Sequence, residues 1–83
     1  MLQSEIWVDD NGVIVRYNLA YINPLWCPHD NGRVLGYDNA HGQHPRHFMG
    51  KVTTVTFRGF AQLEKRFRAE WQTFIKEKEI AKS

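Results

Sequence analysis

Three of the four histidines, His41, His44 and His47, recur at intervals of three within the stretch Tyr37–Lys51, beside Arg46 and Lys51. Imidazole changes charge near neutral pH, so it takes and returns protons without unusual surroundings. Arginine offers a planar fork that matches a phosphate, and lysine a compact point charge. Metal-independent RNA cleavage needs a base for the 2′-hydroxyl, an acid for the leaving oxygen, and cations facing the phosphate. His44 and His47 suit the acid–base pair, Arg46 and Lys51 suit the phosphate, and Tyr37 suits stacking on a base.

Two other chemistries use the same residue types. Zinc would take His41, His44 and His47, with Cys27 and His29 as distant ligands. Side chains alternate on an extended chain, however, so His41 and His47 would share a face while His44 pointed away. No His-x-His or His-x₃-His grip is present, and neither a metal nor a cofactor is expected. In the third reading these polar groups only hold the backbone or meet another protein: Asp38, Asn39 and His41 shape a turn, and Asp38 pairs weakly with Arg46 across it. Cys27, the single cysteine, reads as a small apolar residue and not a nucleophile.

The elements that must position this stretch are ordinary ones. Residues 4–9 form a short strand ending at Asp9-Asp10-Asn11-Gly12, where Asn-Gly readily takes positive φ at both central positions of a hairpin turn. Residues 13–22 alternate, with Val13, Val15, Tyr17, Leu19 and Tyr21 on one face. Asn23-Pro24 and Pro28 break the chain into a loop, and Asp30-Asn31-Gly32 again places a tight turn before a strand. Residues 33–38 make that third strand, with Gly36 marking a bulge or a close approach. Pro45 and two glycines make the histidine stretch a loop, and residues 51–57 follow as the fourth strand, with room for His47 and Phe48 to join its beginning across a bend at Gly50. From Gly59 the period changes. Phe60, Leu63, Phe67, Trp71, Phe74 and Ile75 form one stripe of a helix over about 59–78. The expected fold is α+β: one domain spanning 1–83, an antiparallel meander of about four strands with a C-terminal helix across one face.

Composition sets outer limits. Eighty-three residues make a thin core, so a partner matters to stability. No apolar run approaches the ~20 residues that span a bilayer, and the N-terminal residues do not resemble a signal peptide. A cytoplasmic protein is expected. Residues 1–45 carry a net charge of −3 and residues 46–83 one of +5. The basic half, with Arg58, Lys65 and Arg66 joining Arg46 and Lys51, is compatible with nucleic acid.

The assembled pattern resembles the TumE-type toxin family of bacterial toxin–antitoxin modules. The resemblance runs from about Val13 to Trp71. It rests on Arg16 through Asn23, on Asp30 through Gly42 with its Tyr-Asp-Asn-Ala-His core, on His47 through Lys51, and on Phe67-x-x-x-Trp71. It implies a growth-inhibiting protein, the toxin of a type II-like pair, neutralised by a cognate helix-turn-helix antitoxin and acting on or binding RNA. Members of that family often carry a histidine or another side chain where this chain has Pro45. The alternative is a non-enzymatic module that binds nucleic acid or an antitoxin through its basic helix and loop. A short sheet with an unpaired edge also leaves room for a homo-oligomer or for strand addition by the antitoxin.

Overall fold

The computed structural model describes residues 1–28, 30–40 and 42–82, without the side chains of 79–82. Five strands, β1 (Leu2–Val8), β2 (Ile14–Ile22), β3 (Arg33–Asp38), β4 (Pro45–Phe48) and β5 (Lys51–Thr54), are followed by one helix, α1 (Phe60–Lys82). They form a single antiparallel sheet in the order β1-β2-β3-β4-β5, each strand beside its sequence neighbour. The architecture is α+β, with α1 packed on one face.

The alternation in β2 decides which face that is. Leu19 and Tyr21 lie opposite Tyr37 and Leu35 of β3, and all four, with Tyr17, are buried. The helix stripe closes over them: Leu63, Phe67 and Phe74 are buried, with Phe60, Trp71 and Ile75 packed at the margin. Ring contacts run along the helix in order, Phe60 against Tyr17, Phe67 against Tyr37, Trp71 and Phe74 against Tyr21. Large aromatic rings supply most of this second layer.

Expectation and structure differ in several places. The first strand covers Leu2–Val8 and not residues 4–9. Residues 45–48 are a strand and not loop, so the sheet has five strands. Proline is tolerated there because it is the first strand residue, where no ladder donor is needed. β4 and β5 are joined by Met49-Gly50 alone, both at positive φ (50° and 85°), the geometry of a two-residue hairpin whose twist matches the strands. β5 ends at Thr54 and not at residue 57. The first turn has positive φ at Gly12 only; there the Asp9 carboxylate accepts the backbone N–H of Asn11 and Val13 at 2.9 and 3.0 Å. Finally, α1 continues past residue 78 to Lys82.

Candidate functional site

Pairing β4 with β3 sorts the polar stretch by parity. Arg46 lies opposite Tyr37 and His47 opposite Gly36, so Arg46 faces the helix and His47 faces the open side. Lys51 lies opposite Phe48 on β5 and is exposed, on Arg46's side of the sheet. The quartet His44, Arg46, His47 and Lys51 therefore does not converge.

On the helix side the polar groups are committed to one another. Arg46 donates to Glu70 Oε2 through Nη2 at 2.5 Å and to the Tyr37 hydroxyl through Nε at 3.1 Å. The Tyr37 hydroxyl donates to Glu70 Oε1, and Arg66 Nε lies 3.3 Å from the same oxygen. Burial works against the Arg46 charge, but the Glu70 carboxylate and Tyr37 hydroxyl together outweigh it and hold the guanidinium more firmly charged than usual. Burial first, and then Glu70, pushes the Tyr37 phenol up to about 12. Tyr37 is fully enclosed, so the expected stacking of its ring on a base is replaced by a role in anchoring the helix.

His44 is held as firmly. Its ring stacks on Phe57 with centroids 4.2 Å apart, and Nδ1 lies 2.7 Å from the Tyr17 hydroxyl. Burial, with a smaller contribution from Asp38, pushes the Tyr17 phenol up to about 12, so this hydroxyl keeps its proton at neutral pH. The hydroxyl and Nδ1 share one hydrogen bond, which fixes the ring against the sheet.

The open side is built differently. Across the strands, Gln3, Ala20, Gly36, His47 and Val52 form one row, and Glu5, Asn18 and Asp38 the next. Ala20 and Gly36 have almost no side chain, which leaves a depression between flanking polar residues. The resulting groove, about 560 Å³, is lined by Glu5, Trp7, Arg16, Arg33, Asp38 and His47 among others, with Pro45 on its wall. Gly36 is the close approach that its position suggested: a Cβ there would meet Arg33 Cδ at 2.5 Å. Arg33 thus lies across the glycine. It donates to Asp30 at 2.8 Å and reaches to 3.8 Å from Asp38. His47 Nε2 sits 3.3 Å from Asp38 Oδ2, and its Nδ1 lies 4.0 Å from Asp30.

Imidazole is the side chain that most readily takes and returns a proton, and here it lies between the carboxylates of Asp38 and Asp30. Arg16, exposed beside the groove, lies 4.9 Å from the centre of the Trp7 ring. Glu5, Asp38 and Asp30 stand against Arg16 and Arg33 around His47, so the fixed charges of the groove nearly cancel. Among the described residues no three His, Cys, Asp or Glu side chains form a metal-ligating group.

Of the turn-shaping residues, Asp38 does both tasks, since its other oxygen accepts Ala40 N–H at 3.3 Å. Asn39 extends the sheet with its side chain, accepting Tyr17 N–H at 2.9 Å and donating to Val15 O at 3.2 Å. His41 and His29 lie outside the described residues. Arg58 and Arg66 line a separate notch with Thr56, Gln62 and Leu63, about 360 Å³ in volume; Lys65 is exposed on the helix. Sequence reasoning passed over Arg33, Arg16, Glu5 and Trp7. Arg16 shares its face of β2 with Ile14, Asn18, Ala20 and Ile22, a mixed face that gave little signal.

No helix among the described residues is long and apolar enough to cross a membrane. Comparison with protein-family models, curated proteins and solved structures gives no match.

Proposed function

We propose that the protein acts on RNA as the toxin of a bacterial toxin–antitoxin pair, and that the open face of the sheet is where the strand is held and cut. The toxin assignment draws on the resemblance to the TumE-type family, with a helix-turn-helix antitoxin as its expected partner. The chemistry draws on one observation: His47 lies 3.3 Å from Asp38 in a groove that also carries Arg16 and Arg33.

In this mechanism His47 Nδ1 removes the proton of the 2′-hydroxyl. The 2′-oxygen attacks phosphorus, the bond to the 5′-oxygen breaks, and a 2′,3′-cyclic phosphate and a 5′-hydroxyl result. The leaving oxygen takes its proton from water, because among the described residues His47 is the one imidazole lining the groove. Arg16 faces the phosphate and Trp7 offers a ring for stacking. Incubating the purified chain with single-stranded RNA should yield cyclic-phosphate ends, and expression should arrest growth unless the antitoxin is co-expressed. Intact RNA together with undisturbed growth would sink the reading.

A second reading is favoured by the notch. Arg58, Arg66, Thr56 and Gln62 present donors on the basic side of the molecule, with Arg66 also 3.3 Å from Glu70. A non-enzymatic module would bind nucleic acid there by charge, so its affinity must fall steeply with salt. The open groove, whose charges nearly cancel, predicts a shallow salt dependence instead. The slope separates the two.

A further inference from the structure

The first strand is an open edge with a self-complementary pattern. Met1 exchanges both backbone bonds with Ile22, each at 2.8 Å. In an antiparallel ladder bonded and non-bonded pairs alternate, so Gln3, Glu5 and Trp7 direct their backbone groups toward β2. Leu2, Ser4 and Ile6 direct theirs outward, where the described structure offers no strand. The usual protections of an edge, lysine or proline within it, are absent; the one irregularity is the register shift at Trp7/Val8. Leu2 and Ile6 lie on the helix side of the sheet and are about half exposed, at 50% and 47%.

Read about Ser4, the segment Leu2-Gln3-Ser4-Glu5-Ile6 has the same pattern in both directions: apolar, polar, small, polar, apolar. Two copies related by a two-fold axis pair residue by residue in this way, since one patch must complement itself. We propose that the protein forms a homodimer through β1, with the two-fold axis at Ser4.

Geometry selects that register. Only outward-pointing residues can bond across the edge, so the axis must pass through a residue and cannot pass between two. At Ser4, the serines exchange both backbone bonds, as does Leu2 with the partner's Ile6. Gln3 then faces the partner's Glu5 as a non-bonded pair, the arrangement in which side chains come closest. That contact is an amide against a carboxylate, and within one chain Gln3 Nε2 already donates to Glu5 at 3.0 Å. An axis at Glu5 would instead set two carboxylates against each other. A foreign strand would have no need of this two-way pattern, which is why a second copy is the occupant. Because Glu5 and Trp7 also line the open groove, the dimer joins two grooves on one continuous face.

Sedimentation or light scattering of the full chain over a micromolar-to-millimolar dilution series should show twice the 9.8 kDa monomer mass. Ser4→Pro removes an outward N–H that the monomer does not use, so it should yield a folded monomer by circular dichroism. If that variant fails to fold, Ile6→Lys, which puts a charge on the exposed edge, decides the matter by the same mass measurement. The Gln3→Cys, Glu5→Cys double variant should oxidise to a covalent dimer, because facing non-bonded positions suit a disulfide. A wild-type chain that stays monomeric throughout overturns the proposal, as does a dimer that survives both edge variants. Cross-linking of Glu5→Cys alone at equal efficiency would overturn the Ser4 axis.

Discussion

The two faces of the sheet put similar side chains to different use. Under the helix, Tyr17, Tyr37, His44, Arg46 and Glu70 spend their hydrogen-bonding capacity on each other. On the open side His47, Asp38, Asp30 and Arg33 also contact one another, but above a groove that another molecule can enter. The cause is burial. A polar group enclosed by a helix must be satisfied from within the protein or it costs stability. A polar group on an open sheet face can keep a nitrogen for something else. His44 and His47 sit in the same stretch, and only the direction in which each points packs one on the helix side and turns the other to the groove.

That contrast can be broken by substitution. The largest effect is expected from His47→Ala: cleavage of RNA should fall by ~10²–10⁴, the usual worth of a positioned acid–base group, while the melting temperature stays nearly unchanged. A gel assay beside a thermal melt checks both halves. Equal loss of activity and stability would show that the open face is structural too.

Arg46→Ala should do the reverse. It strips Glu70 and the Tyr37 hydroxyl of a partner in a mostly buried setting, at a cost of about 2–3 kcal/mol. In a chain of this size that lowers the melting temperature by roughly 10 °C or more. Denaturant unfolding gives the number. His44→Ala should follow the same pattern with a smaller cost, about 1–2 kcal/mol for the lost stack and hydrogen bond.

Gly36→Ala sharpens the comparison further. The new methyl would displace the flexible Arg33 side chain and not the backbone. Activity should drop about tenfold through misplacement of the groove's cation, with little change in thermal stability.

The smallest effect is one of pH. Tyr17 and Tyr37 both have folded pKa values raised from 10.0 to about 12. Each therefore holds its proton more tightly when folded, and the stability this brings is complete below pH 10. It is lost as pH rises toward and through 12. Ultraviolet titration of the phenols, followed alongside circular dichroism, should show late ionisation of two tyrosines together with alkaline loss of structure.

The strands and helix that carry the core were legible because their periods are long and clean. Val15 to Leu19 alternates apolar and polar, and Phe60 to Ile75 repeats at three to four. β4 was legible only in part: His47 and Phe48 could extend the strand after a bend at Gly50, but Pro45 read as a breaker and the segment is four residues long. A proline at the first strand position and a two-residue turn containing a non-glycine at positive φ are local exceptions. Each depends on strand pairing that a linear pattern does not reveal.

The site divides along the same line. Sequence alone determined which chemical groups the chain owns, that they crowd into Tyr37–Lys51, and that alternation would set His44 apart from His47. It could not say which of the two would meet the helix. Pairing with β3 decided that, by placing Arg46 across from buried Tyr37 and His47 across from Gly36. Only the folded sheet brought Arg33, Arg16, Glu5 and Trp7 to the groove, because these residues lie on three different strands. Period is a local property of a chain, whereas convergence across strands depends on register.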